Sequence, residues 1–237
     1  MESNQIKSKD RVAERGEVFT AEREVKAMCD LVKDECERID SRFLEPACGD
    51  GNFLAEILRR KLEVVKKQYK KSTYEYEQNS VLAITSIYGI DIMMDNVISC
   101  RERMYSIWEK EYNANCKSDA NDETRKAVKH ILSLNIVLGN ALSMMCVDEN
   151  GEATDEPIIF PEWSFVLGAQ LKRRDYRFDV LLKENPDENM YDMQFSLFGD
   201  DAMCQDYWMI DPITKEQIPK PVREFAPIHY RRVNEDE

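Results

Sequence analysis

The feature that most constrains this chain is an alternation, between residues 41 and 182, of short apolar runs with longer segments of helical apolar spacing. Short apolar runs bounded by turn residues suit buried strands, and apolar groups recurring every three to four residues suit amphipathic helices. Ser41-Arg42-Phe43-Leu44-Glu45, Ser86-Ile87-Tyr88-Gly89-Ile90-Asp91-Ile92, Asn135-Ile136-Val137-Leu138-Gly139 and Arg177-Phe178-Asp179-Val180-Leu181-Leu182 read as four strands. Before the first lies a helical pattern through Val25, Met28, Leu31, Val32, Cys36 and Ile39, with Thr20 as its expected N-cap and Glu22 and Glu24 in its first turn. Helices are expected from Asn52 (Phe53, Leu54, Ile57, Leu58, Leu62 and Val65 inward), in a short stretch up to Thr85, from Asp95 to about Tyr112, and from Glu123 to Leu132. Parallel neighbours need a crossover, usually a helix, so this order predicts an α/β fold with a doubly wound, mainly parallel sheet.

Beyond residue 182 the periodicity fades. Residues 183–206 are rich in Asp, Glu, Asn and Met, and the tail carries five of the eight prolines. About 55 residues are too few for three more strands with their helices. The expectation is a domain over 1–182, with its core at about 17–182, a sheet truncated after strand four, and an irregular C-terminal appendage over 183–237. A sheet that stops at strand four leaves an apolar edge that something must cover. The tail, a second copy or another chain is expected there, hence a homo-oligomer or a partner chain.

Composition narrows the class. The 43% hydrophobic content supports a real core, and no run of about 18 apolar residues suggests a membrane span. The polar start, MESNQIKSKDRVAERGE, does not look like a signal peptide, so a cytoplasmic location is expected. Seven cysteines (Cys29, Cys36, Cys48, Cys100, Cys116, Cys146, Cys204) are scattered without a C-x-x-C pair and suit buried thiols of a reduced compartment; no metal site is expected. The net charge of −13 argues against tight independent binding to DNA, though it leaves room for a local basic patch.

The chemistry gathers at the strand ends. In doubly wound sheets ligands sit beyond the carboxyl ends of the strands. Glu45-Pro46-Ala47-Cys48-Gly49-Asp50-Gly51 follows strand one, Asp91 ends strand two, and Asn140-Ala141 follows strand three. Glycines at 49 and 51 permit a tight turn and close backbone approach, and Asp91 suits two ribose hydroxyls. The loop is not G-x-G-x-x-G and carries an acid at its centre. An acid repels a pyrophosphate but suits a cationic ligand without phosphate, and S-adenosylmethionine, with its sulfonium, ammonium and ribose, is such a ligand. Plainer roles stand beside these: Asp91 equally suits a helix cap, Asn140 a loop residue satisfying its own backbone, and Trp163 and Trp208 packing rather than base stacking.

Phe43-Leu44-Glu45-Pro46-Ala47-Cys48-Gly49-Asp50-Gly51-Asn52-Phe53-Leu54 resembles the first motif of the N6-adenine DNA methyltransferases of restriction–modification systems. Gly16-Glu17-Val18-Phe19-Thr20 resembles the motif preceding it in one class of these enzymes, with Ala21 where Pro is usual. Tyr88-Gly89-Ile90-Asp91-Ile92 and Asn135-Ile136-Val137-Leu138-Gly139-Asn140-Ala141-Leu142 resemble the second and third motifs, the latter with Asn140 where Asp is common. The resemblance implies a Rossmann-like methyltransferase fold with S-adenosylmethionine as cofactor. Thr20 would meet the methionine carboxylate, and Glu45, Ala47, Cys48, Gly49, Asp50 and Gly51 would line the methionine end, with Glu45 near the ammonium. Asp91 would hold the ribose, Ile92 would pack on adenine, and Asn140 and Ala141 would lie at the adenine ring. The family also has an N-P-P-Y-like turn after strand four, which binds a base flipped from the duplex. Here the chain has Lys183-Glu184-Asn185-Pro186-Asp187-Glu188, so Asn185 and Pro186 are the catalytic candidates, without the second Pro or the aromatic residue. Three readings follow: an adenine-N6 DNA methyltransferase or its cofactor-binding part, a non-catalytic S-adenosylmethionine-binding partner or regulator, and a methyltransferase of another acceptor.

Overall fold

The computed structural model describes residues 20–182, 207–212 and 214–235. The chain opens with helix α1 (Glu22–Leu31) and the short α2 (Lys33–Glu37), then β1 (Phe43–Glu45), α3 (Asn52–Tyr69), α4 (Thr73–Thr85), β2 (Ile87–Asp91), α5 (Met94–Cys116), α6 (Asp122–Asn135) and β3 (Ile136–Asn140). Strands β4 (Met145–Val147), β5 (Ala153–Pro157), β6 (Ile159–Leu167) and β7 (Gln170–Arg177) follow, then the single turn α7 (Phe178–Leu181). After residue 206 come β8 (Trp208–Ile210), β9 (Gln217–Pro219), β10 (Arg223–Glu224), β11 (Ile228–His229) and a 3-10 segment, Tyr230–Glu235.

The fold is mixed α/β. Its main sheet runs β1-β2-β3-β4-β5, with β1, β2 and β3 parallel and the last two pairings antiparallel. The first three strands lie where sequence periodicity put them. The segment after β4 closes a hairpin: Asp148 accepts the N–H groups of Asn150 and Glu152 and turns β4 into β5. The first helix differs from expectation. Ala21, not Thr20, is its N-cap, no side chain caps it, and the helix breaks at Val32.

The expected fourth parallel strand does not form. Residues 170–177 pair antiparallel with β6 in a long hairpin, and the backbone curls into α7 directly afterwards. The cause is local: Arg177 grips Asp179 through two charge-assisted hydrogen bonds of 2.9 and 2.8 Å, which draws residues i and i+2 together. Phe178 then buries itself edge-on against Phe160, while Leu181 and Leu182 stay exposed. One edge of the main sheet is therefore β1, which pairs only with β2 among the described residues, and the other is β5. The antiparallel β6–β7 hairpin escaped the sequence reading because Lys172, Arg173, Arg174 and Asp175 break the apolar alternation.

The two faces of the sheet are covered differently. On β2, Gly89 faces α3, where an added Cβ would stand 3.0 Å from Cys48 Sγ and 3.2 Å from Leu54. On the opposite face Tyr88 meets the Phe160 ring edge-on, its hydroxyl donates to the Pro161 carbonyl, and Gly139 admits Ile158. The C-terminal segment belongs to this second face: β10 and β11 flank β7, and Tyr230 is fully buried with its hydroxyl donating to Glu77 on α4. At the far end of the strands Lys61 is buried with Nζ donating to the carbonyls of Ile39 and Ser41 and to Ser86 Oγ; burial pushes its amine down to about 7.

Candidate functional site

The loop between β1 and α3 is built by backbone conformations that favour glycine. Gly49 has φ 52° and Gly51 φ 88°, and Gly51 is the N-cap of α3. A side chain at Gly51 would also collide with α5, since an added Cβ lies 2.7 Å from Cys100 Sγ. The loop docks on the end of β2 in two ways: Cys48 N–H donates to the Ile90 carbonyl, and Gly49 N–H donates to Asp91 Oδ2 at 2.8 Å. Asp91 Oδ1 accepts from Met93 N–H at 2.9 Å and from Asn96 Nδ2 at 3.2 Å. A carboxylate offers about four acceptor directions. Three are used among the described residues, where Oδ2 takes a single N–H, so it retains capacity for a hydroxyl.

Strand register places three polar side chains on one face. Glu45 pairs with Gly89, and Gly89 with Ile136; two residues on, Asp91 pairs with Leu138; two further on stands Asn140. Paired residues of parallel strands project to the same side, as do residues two apart. Glu45, Asp91 and Asn140 therefore form a diagonal on the α3 side, each step one strand across and two residues along. With neighbouring strands about 4.8 Å apart and a rise of about 3.3 Å per residue, each step is about 8 Å.

The three groups differ in state. Glu45 is half-buried, has no ion-pair partner among the described residues, and burial pushes its carboxyl above the ordinary range, opposed in part by the Ala47 N–H. Asp91 is nearly buried and hydrogen-bonded as above. Asn140 uses its side-chain oxygen to accept from Leu142 N–H at 2.9 Å and Ser143 N–H at 3.5 Å, closing the turn into β4. The plain reading of Asn140 as a loop-satisfying residue is thus realised.

Other expected site residues fall in different places. Thr20 lies beside the loop, its carbonyl accepting from Asn52 Nδ2 at 3.4 Å. Ala47 is exposed; Ile92 and Ala141 are half-buried, each next to its strand end. Cys48 contributes only backbone, because its thiol is buried against Gly89, and a hydrogen bond with Cys100, together with burial, pushes it upward. Asp50 is ion-paired with Arg103 at 3.2 Å, so the acid at the loop's centre arrives already balanced, and the argument from its charge passes to Glu45. Asn185 and Pro186 lie outside the described residues.

Two residues escaped the sequence reading. Asn96 orients Asp91, and Arg103 ties Asp50 and Asn52 to α5. The available signal was on α5: Asn96 is a polar residue in register with Cys100 and Met104 on a buried stripe.

Asp91 and Asn140 present polar groups that can hydrogen-bond a ligand lying across the strand ends, and Glu45, a carboxylate with no ion-pair partner among the described residues, can meet a cationic group. No helix among the described residues is long and apolar enough to cross a membrane. No curated protein and no solved structure matches the chain. The family of the MmeI DNA-methyltransferase domain matches residues 20–186, a span that takes in the glycine loop and all three strand ends. On that match the chain belongs to the MmeI DNA-methyltransferase domain family, a restriction–modification methyltransferase family.

Proposed function

We propose that this chain binds S-adenosylmethionine across the carboxyl ends of β1, β2 and β3 and serves an adenine-N6 DNA methyltransferase as its cofactor-binding part. The observation that carries this is the diagonal Glu45–Asp91–Asn140. Its order matches the cofactor's own, with a carboxylate for the ammonium, an acceptor for the ribose and an amide for the base, over a total of about 16 Å on ordinary strand spacings. When bound, S-adenosylmethionine supplies the methyl group. The chain's own residues hold and orient it: Gly49 and Gly51 bring backbone close, Glu45 balances the ammonium, and Asp91 accepts from the ribose. Transfer to an adenine amino group would fall to the segment holding Asn185 and Pro186, with DNA as the partner.

A second reading, a cofactor-binding module that performs no transfer of its own, draws on one observation. Residues 178–181 form a helical turn rather than a strand beside β1, so no fourth parallel strand leads the chain from the sheet towards Lys183–Glu188.

Calorimetric titration with S-adenosylmethionine tests the common part of both readings. Saturable binding is expected for the intact chain, with a loss of at least about tenfold in Asp91→Ala and in Glu45→Gln. Asp91 also anchors the loop, so Glu45→Gln, whose partner among the described residues is one backbone N–H, separates ligand contact from loop integrity. Absence of binding by the intact chain would refute the cofactor assignment. Methyl transfer to adenine-containing duplexes then divides the first reading from the second.

A further inference from the structure

We infer that Arg103 is a positioning residue that sets the charge of the glycine loop: it keeps Asp50 neutralised, and so limits how far the loop favours a sulfonium over the uncharged thioether left after transfer. This rests on the proposed S-adenosylmethionine site and specifies how that site distinguishes the cofactor from its own product.

Arg103 reaches the loop because α5 lies directly against it. An added Cβ at Gly51 would stand 2.7 Å from Cys100 Sγ and 3.0 Å from Met104, and Arg103 follows Cys100 by three residues, on the same side of the helix. One guanidinium nitrogen donates to Asn52 Oδ1 at 2.8 Å and to the Asp50 carbonyl at 3.3 Å, and stands 3.2 Å from Asp50 Oδ1. Asn52 passes the tie onward, its Nδ2 donating to the Thr20 carbonyl at 3.4 Å. A terminal guanidinium nitrogen carries two hydrogens, and Asn52 and the Asp50 carbonyl take both. Asp50 Oδ1 is accordingly buried and accepts no hydrogen bond among the described residues. Arg103 thus meets the carboxylate through charge, and the backbone and Asn52 through hydrogen bonds. Substitution can separate the two roles.

The place of this pair gives its charge a consequence. Asp50 follows Gly49, whose N–H is held by Asp91, and Glu45 stands at the other end of the same loop. In S-adenosylmethionine the sulfur joins the ribose to the amino-acid part, so it belongs between the groups assigned to Asp91 and Glu45. Loss of the methyl leaves the bonding electron pair on sulfur and turns the sulfonium into a neutral thioether. The hydrogen-bonding groups of cofactor and product are otherwise the same. An unpaired Asp50 would favour the cofactor and an unpaired Arg103 the product; paired, they largely cancel. Arg103 and Asp50 keep 33% and 35% exposure, so solvent screens each charge, and the effect of unmasking one is a few-fold.

Parallel calorimetric titrations with S-adenosylmethionine and S-adenosylhomocysteine test this through the ratio of the two dissociation constants, which general damage to the loop does not move. Asp50→Asn is the first variant, since it keeps the shape of the side chain and removes no hydrogen bond found among the described residues. It leaves Arg103 unopposed, so the ratio should move about threefold towards S-adenosylhomocysteine. Arg103→Met should weaken both ligands and move the ratio about threefold the other way. The double variant should return it to the parent value, and Arg103→Lys, which keeps the charge, should leave it there. An unchanged ratio in Asp50→Asn overturns the inference, leaves Arg103 as a tie for the loop, and keeps the cofactor site standing. That variant decides alone if Arg103→Met does not fold. No binding of either ligand by the intact chain removes both the inference and the site beneath it.

Discussion

At the scale of single residues, the site is a set of groups whose environments give them different tasks. Asp91 is saturated on one oxygen by Met93 and Asn96 and held to the loop by Gly49 through the other, so it is pre-oriented before any ligand arrives. Glu45 is the opposite case, a carboxylate raised by burial and without a cation among the described residues. That state has a pH consequence. A raised carboxyl stays protonated, hence uncharged, to a higher pH than an ordinary glutamate, and an ammonium is attracted only to the charged form. Affinity for S-adenosylmethionine should therefore fall as pH is lowered through the Glu45 titration, beginning above the ordinary glutamate range. Titrations at a series of pH values should show this slope in the intact chain and a flat profile in Glu45→Gln. A slope that persists in the variant would place the titrating group elsewhere. Asp50 teaches the reverse lesson: its charge was prominent in the sequence, yet Arg103, 53 positions away, pairs with it.

Among elements, the decisive junction is Glu77 on α4. Its carboxylate is 2% exposed and accepts from Tyr112 on α5, Asn121 before α6, and both Tyr230 and Arg231 of the C-terminal segment. One buried group thus joins three helices to the end of the chain, which also flanks β7 through β10 and β11. Replacing it with Gln removes the charge opposite Arg231 and offers a donor where donors already converge. Breaking a buried ion pair costs about 3–5 kcal/mol. Arg231 keeps 31% exposure, so roughly 2–3 kcal/mol of lost stability is the expectation for Glu77→Gln. Denaturant titration should read that loss, and hydrogen exchange should localise it to residues 228–235. A variant as stable as the parent would show that the C-terminal segment is held by apolar packing alone.

For the whole molecule, electrostatics bear on how DNA would be engaged. The net charge is −13, and much of the cationic charge of the described residues is already matched: Arg42 and Arg174 with Glu162, Arg173 and Arg223 with Asp175, Arg125 with Glu109 and Asp122, Lys172 with Glu224. Phosphates would have to displace these carboxylates, so counterion release, the main source of non-specific affinity, gains little. Fluorescence anisotropy with a short duplex at about 0.15 M salt should give a dissociation constant no tighter than about micromolar for this chain alone. Nanomolar binding would reveal a basic surface that the pairing pattern hides. If weak binding is found, a DNA acceptor requires that surface outside the described residues, elsewhere in the protein or on another chain, contribute the affinity. The open edge of β1 is where we propose that such a chain, or a second copy, attaches.

The sequence by itself determined the features that depend on near neighbours. Strands β1, β2 and β3, the helices between them and the glycine loop were legible because apolar period, turn glycines and the acid at Asp91 are written within a few positions of one another. The family was legible for the same reason, since its motifs are local strings at strand ends. Only the tertiary structure decided what depends on distant partners. The run Arg177–Leu182 has the composition of a strand, but strands exist by pairing. Here β7 takes β6 as its partner up to Arg177, and the next residues curl under the Arg177–Asp179 clasp. The return of the C-terminal segment onto Glu77, 153 positions away in sequence at Tyr230, left no periodic trace either. The same holds for the site: its residue types were written locally, whereas their alignment on one face follows from strand register, which the chain settles only when the sheet assembles.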